Sequence, residues 1–141
     1  MSIEDIEKRR ADRKAATAKA QEEQYEKDLE ALDALEAEHG EGRVVRMNIK
    51  GFVPGLPTFI VIRSPGGTPL YKRYTAMVRA AGKNATAIGT AQDMLGEASI
   101  VYPSDPAVLK ALLEEFPGAK ISAAIRAVAC VELEAQEEKK D

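Results

Sequence analysis

The sequence has little of the chemistry that enzymes and metalloproteins use. It contains a single histidine, His39, a single cysteine, Cys130, and no tryptophan. A zinc site needs three or four ligands at suitable spacing, and His39 and Cys130 lie in different segments of the chain. Cys130 is surrounded by alanines and valines, where a thiol behaves as a small apolar side chain. The sequence therefore predicts no metal, no cofactor and no catalytic residue.

Long apolar runs are also missing. The longest contain four or five residues, whereas a membrane-spanning helix needs about 20. Residues 1–5 are acidic and lack the apolar segment of a secretory signal. A lone cysteine cannot form an internal disulfide, which fits a reducing compartment. These features predict a soluble protein of the cytoplasm with no membrane contact.

Glycine and proline are absent from the first 39 residues, and all seven prolines follow residue 50. Residues 1–43 carry 8 basic and 13 acidic side chains, a net charge of −5, whereas the remainder has a net charge of +2. Such shifts in composition mark boundaries between structural units. We therefore predict an acidic helical arm over residues 1–42, a compact α+β domain over residues 43–135 and a charged tail over residues 136–141.

The arm has the features of one long helix. Ser2 and Asp5 have the spacing of an N-terminal capping box, and the residues that follow are good helix formers. Apart from Ile3 and Ile6 at its start, the larger apolar side chains of the arm lie in the second half, on one face of the helix. They are Tyr25, Leu29, Leu32 and Leu35. This half needs a partner surface, whereas the first half is expected to be solvated.

The rest of the chain predicts a small sheet and short helices. Alternation over residues 45–50 and a β-prone run over residues 58–63 favour an antiparallel hairpin. Helical patterns cover residues 70–81 and 85–97, and residues 100–102 are strand-like. Asp105 caps a further helix, and an apolar pattern over residues 121–131 predicts the last one. The predicted fold is α+β, mainly α: a long N-terminal helical arm, a small antiparallel β-hairpin and a cluster of four short helices.

The candidate interaction residues are apolar positions on two of these helices. On the arm they are Tyr25, Leu29, Leu32 and Leu35; on the capped helix they are Leu109, Leu112, Leu113 and Phe116. The alternative for each is packing within the core of the protein.

The basic charge of residues 44–103 suggests nucleic acid as a second kind of partner. Residues 44–103 carry seven basic and two acidic side chains, and Tyr71 and Tyr74 flank Lys72 and Arg73. Aromatic side chains beside cations are typical of some nucleic-acid-binding surfaces. The same pattern also fits tyrosines packed inward, or a basic surface that docks an acidic helix. The acidic overall charge favours a protein partner over nucleic acid.

Three stretches of the chain resemble bacteriophage tail assembly chaperones. Residues 97–118, EASIVYPSDPAVLKALLEEFPG, are similar to the short apolar run, the "VYP" and the leucine-rich helix ending in "EEFPG" of that family, and residues 121–128, ISAAIRAV, are similar to its closing helix. The stretch from Leu56-Pro57 to Tyr74 is similar to what precedes this element. The resemblance spans residues 56 to about 131 and leaves the arm unexplained. Family members often finish on a Leu-Ala/Ser-Gly ending, from which residues 129–133, ACVEL, depart.

The resemblance implies a function in assembly rather than catalysis. Such chaperones bind the helical tape measure protein, keep it soluble and help to recruit tail tube subunits. It also implies residence in the host cytoplasm, absence from the mature virion and weak self-association. The alternative is a structural protein of the tail or head-tail connector, whose N-terminal helix contacts a neighbouring subunit.

Overall fold

A small sheet lies at the centre of the protein, with helices on both of its faces. The structure, a computed structural model, describes the backbone of residues 1–140 and the side chains of residues 1–134. The helices are α1 (Ile3–His39), α2 (Pro69–Ala81), α3 (Ala85–Ser99), α4 (Pro106–Glu115) and α5 (Ala119–Lys140). The strands are β1 (Val44–Asn48), β2 (Phe59–Arg63) and β3 (Ile100–Tyr102), and a 3-10 turn over Glu41–Arg43 links α1 to β1.

The predicted fold class is confirmed, because the structure is 70% helical around a small antiparallel sheet. Both predicted caps are present. Ser2 and Asp5 form the capping box of α1, and the Asp105 carboxylate accepts from the Ala107 amide at 2.9 Å. Two features go beyond the prediction. The strand-like run becomes β3, and α5 continues well past residue 131.

Both strand pairings are antiparallel, and β2 lies in the middle of the sheet. The predicted hairpin joins β1 to β2, with Val44 opposite Arg63 and Asn48 opposite Phe59. On its other side β2 pairs with β3. Among the described strands, β1 and β3 therefore each have one edge without a strand partner.

The sheet separates two apolar clusters. Phe59 and Val61 of β2 face α1, while Ile60 and Ile62 face the layer formed by α3, α4 and α5. All four side chains are completely buried, because consecutive residues of a strand point to opposite faces and both faces are covered. This double coverage explains why residues 59–62 of β2 are all apolar instead of alternating with polar residues.

The helical layer is built on a close contact between α3 and α5. A Cβ atom on Gly96 would lie 2.0 Å from the Lys120 carbonyl oxygen, so only glycine allows the two backbones to approach this closely. The inward face of α5 consists of small side chains. They are Ala119, Ala123, Ala124 and Ala127. Large side chains of α5, Ile121 and Ile125 among them, are therefore displaced to the exposed side.

The two halves of α1 have different environments. From Ala20 onward one face of the helix lies against the sheet, and Leu32 and Leu35 pack on Phe59 and Val61. Every side chain from residue 1 to residue 19 is exposed. The predicted boundary at residue 42 stays a prediction, although the second half of α1 packs as part of the body. The predicted tail continues α5 up to Lys140; its side chains and Asp141 lie outside the described residues.

Candidate functional site

An open groove runs between the free edge of β1 and the junction of α4 with α5. Its volume is about 630 Å³. The apolar lining comes from Met47 and Ile49 at the strand, from Phe116 at the end of α4 and from Ile125 on α5. Lys50 and Arg126 lie on its rim, together with Glu115. We call this surface the β1–α5 groove.

Ile125 is the most exposed large apolar side chain of the groove. It is 62% exposed, and Ile121, one turn earlier, is 48% exposed. Ile125 also lines a second depression of about 300 Å³, whose other residues include Tyr74 and Val128. The side chain therefore stands as a ridge between two hollows. An apolar partner could contact it from either side, which makes Ile125 the most informative position of this surface.

A second site of note is the buried carboxylate of Asp28, which ties α1 to the sheet. Its Oδ2 accepts hydrogen bonds from the Thr58 amide at 2.7 Å and the Thr58 hydroxyl at 2.5 Å. Its Oδ1 accepts from the Gln24 side-chain amide at 2.9 Å and from the Tyr102 hydroxyl. A carboxylate has acceptor sites for all four donors, so this completely buried acid is well satisfied.

The aromatic side chains around Asp28 complete the contact between α1 and the sheet. The centre of the Phe59 ring lies 6.1 Å from the centre of the Tyr25 ring, in an edge-to-face arrangement, and 6.2 Å from the centre of the Tyr102 ring. The Arg46 guanidinium stands 5.4 Å from the centre of the Phe59 ring and donates to the Tyr25 hydroxyl at 3.0 Å. Burial and the hydrogen bond to Asp28 raise the pKa of Tyr102 above its ordinary value. This arrangement holds α1 against the sheet.

On α1 the structure divides the predicted interaction residues into two groups. Tyr25 and Leu29 are each 38% exposed at the edge of the packed face. Leu32 and Leu35 are half-buried against the sheet. Only the first pair therefore offers substantial surface to another molecule.

The predicted residues of α4 are divided in the same way. Leu112 is completely buried and Leu113 is 8% exposed, so these two side chains stabilise the fold and offer no surface to a partner. Leu109 is half-buried against the core. Phe116 is half-buried as well and lines the β1–α5 groove. The structure thus brings one of the four residues to the groove.

Cys130 and the segment from Tyr71 to Tyr74 are the remaining candidates for reactivity or for nucleic-acid binding. Burial raises the pKa of the Cys130 thiol, with Glu134 contributing, which keeps the thiol protonated. Tyr71 and Tyr74 are half-buried with ring centres 6.0 Å apart, and Lys72 and Arg73 between them are exposed. Within the residues that the structure describes, no group of three His, Cys, Asp or Glu side chains is placed to hold a metal ion.

None of the described helices combines the length and apolar character needed to cross a membrane.

Sequence reasoning missed the roles of Asp28 and Ile125. Asp28 precedes Leu32 by four residues and Leu35 by seven, so helical spacing, which places it on the packed face, is the signal that could have found it. Ile125 belongs to the apolar pattern over residues 121–131, which predicts a helix but does not indicate which of its apolar side chains are exposed. The signal that could have shown this is the set of alanines beside it, which allow a closer helix contact than isoleucine does.

Comparison of the chain with protein-family models, with curated proteins and with solved structures finds no match.

Proposed function

We propose that this protein is a non-enzymatic assembly chaperone that holds an amphipathic helix of another protein in the β1–α5 groove. The observation that carries the proposal is the exposure of Ile125, at 62%, beside a groove of about 630 Å³. Grooves of this kind receive the apolar face of a helix through side chains spaced three and four residues apart. The resemblance of residues 56 to 131 to phage tail assembly chaperones supports a tape measure protein as the partner.

The chemistry of the groove suits a transient partner. Its apolar lining includes Met47, Ile49 and Phe116, which favours contact with leucine-rich helix faces. Lys50 and Arg126 at the rim would attract acidic residues that flank such a face. The groove is open on one side, so a bound helix would stay partly accessible to other subunits. A chaperone that must later release its client needs this kind of shallow contact.

Co-expression tests the proposal. The protein is produced together with a long, helical tape measure protein, and the soluble fraction of the tape measure protein is measured. We expect the wild-type chain to keep the tape measure protein soluble. Ile125→Asp should lower the rescued soluble fraction at least about tenfold, because a charge cannot enter an apolar contact without a large desolvation cost. Absence of rescue by the wild type would overturn the proposal.

Leu133→Asp is the matched control. Leu133 is also on α5 and is 60% exposed, but it does not line the groove. This variant should retain the rescue, and both variants should melt like the wild type because both positions are exposed.

Mass spectrometry of purified particles distinguishes a chaperone from the alternative, a structural protein of the virion. A chaperone is expected at trace levels, whereas stoichiometric amounts would identify a structural protein of the virion.

A further inference from the structure

The charges of α1 are separated along its length. Residues 8–19 carry six basic side chains and one acidic side chain, a net charge of +5. Residues 22–38 carry eight acidic side chains and one basic side chain, a net charge of −7; of the eight acids, Asp28 is buried against the sheet. The two blocks are consecutive segments of α1, so blocks of opposite charge lie end to end on one helix, which rises about 1.5 Å per residue. Among the described side chains, no Lys or Arg of residues 8–19 makes an ion pair.

An exposed face with apolar character connects the two blocks. It runs beside the face that packs on the sheet, and its members follow one another at spacings of three, four and seven residues. They are Ala11, Ala15, Ala18, Tyr25 and Leu29. We call this surface the open face of α1. Its small side chains lie in the basic block, and its large ones, each 38% exposed, lie in the acidic block.

We propose that two copies of this chain pair antiparallel through the open faces of their α1 helices. With the twofold axis near Gln21 and Glu22, the basic block of each copy lies along the acidic block of the other. The alanines of one copy then face Tyr25 and Leu29 of the second copy, so small side chains meet large ones. The interface is isologous and closed, as expected of a symmetric dimer.

Charge complementarity selects this arrangement over the alternatives. A parallel pair would place the +5 block against its own copy and the −7 block against its own copy, which is repulsive along the whole helix. Antiparallel pairing also covers the first half of α1, whose 17 residues from Ile3 to Lys19 are otherwise exposed. An isolated helix of that length is only marginally stable in water. The dimer does not depend on what occupies the β1–α5 groove.

Charge reversal with mixing tests the pairing. The basic-block variant is Lys8→Glu/Lys14→Glu/Lys19→Glu, and the acidic-block variant is Glu26→Lys/Glu30→Lys/Asp33→Lys; all six positions are exposed. Sedimentation equilibrium should show a dimer for the wild type and dimerisation weakened at least about tenfold for each variant alone. A mixture of the two variants should dimerise again. A monomeric wild type, or variants that dimerise like the wild type, would overturn the proposal.

Cross-linking tests the orientation. In a Cys130→Ser background, Glu22→Cys lies near the axis and should be joined to its copy by a short bifunctional thiol reagent. Ala11→Cys should not, because its copies are about 30 Å apart in an antiparallel pair. Efficient cross-linking of Ala11→Cys would indicate parallel helices and contradict the proposal.

Raising the salt concentration from about 0.1 M to about 1 M should also weaken the dimer, because the screening length falls from about 10 Å to about 3 Å.

Discussion

Asp28 shows how one buried polar side chain can decide where a long helix lies. Four donors converge on its carboxylate from α1 itself, from the residue that precedes β2 and from β3. Apolar contacts such as those of Leu32 tolerate small shifts along the helix axis, whereas these hydrogen bonds require one position. The pairing of Asp28 with Thr58 therefore sets the register of α1 on the sheet.

Asp28→Asn is expected to destabilise the protein by about 1–3 kcal/mol, because an amide offers one acceptor atom in place of two and leaves buried donors unpaired. The Thr58 amide or the Tyr102 hydroxyl would then face the Asn NH₂ group. Chemical denaturation monitored by circular dichroism measures the change. Asp33→Asn, at an exposed position of the same helix, should change the unfolding free energy by no more than about 0.5 kcal/mol. Equal effects of the two substitutions would contradict this role of Asp28.

The hydroxyl of Tyr102 predicts a loss of stability at alkaline pH. Burial, followed by the hydrogen bond to Asp28, raises its pKa above the ordinary value of 10.0. The unfolded chain therefore releases this proton first, so the stability contributed by the protonated hydroxyl is complete below about pH 10 and is lost as the pH rises further. Tyr102→Phe should flatten this decline in denaturation experiments between neutral pH and about pH 11. An unchanged slope would show that other groups cause the decline.

At the scale of the elements, the contact between α3 and α5 depends on Gly96. A Cβ atom there would lie 2.0 Å from the Lys120 carbonyl oxygen and 2.9 Å from its carbonyl carbon. These are backbone atoms, so the contact can be relieved only by moving a helix. The spacing of the two helices in turn decides which side chains of α5 are buried and which are exposed.

Gly96→Ala is expected to destabilise the fold by about 1–3 kcal/mol or more, because it forces two packed helices apart. Gly89 provides the matched control, since it lies in the same helix and nothing stands within 4 Å of a Cβ atom added there. Gly89→Ala should stabilise the protein by about 0.5–1 kcal/mol, through the higher helix propensity of alanine. Thermal melts of both variants give the comparison. A neutral Gly96→Ala would mean that α3 and α5 can separate freely.

Local signals predicted the elements well because each has a local cause. Ser2 and Asp105 cap their helices, and the β-prone run of residues 58–63 contains β2. The orientation of α5 could not be predicted in this way. Large apolar residues are usually assigned to the core, but Ile121 and Ile125 are exposed because Gly96 brings α3 too close for them. This outcome depends on two segments more than 20 residues apart in sequence, which periodicity within one helix does not report.

The whole molecule presents two separate surfaces. The β1–α5 groove belongs to the helical layer on one side of the sheet, and the open face of α1 lies on the other side. Binding at one surface therefore leaves the second accessible. Of the predicted interaction residues, Tyr25 and Leu29 belong to the open face and Phe116 to the groove. Helical periodicity identified these three, but only tertiary packing separates them from Leu112 and Leu113.

Truncation tests where the folded body begins. A chain that starts at residue 18 loses only exposed side chains, and its unfolding free energy should remain within about 0.5 kcal/mol of the full chain. A chain that starts at residue 43 loses Asp28, Leu32 and Leu35, which uncovers Phe59 and leaves the Thr58 amide unpaired. Uncovering a fully buried side chain of this size costs about 1.5–3 kcal/mol, and several such losses exceed what a small domain tolerates.

We therefore expect the chain from residue 18 to melt cooperatively and the chain from residue 43 to lack a cooperative transition. Circular dichroism melts on dilute samples measure this without a contribution from association. A cooperative, native-like melt of the shorter chain would place the boundary at residue 42, as composition and charge suggest. We expect the boundary within α1, because the sheet has two apolar faces and the remaining helices cover only one of them.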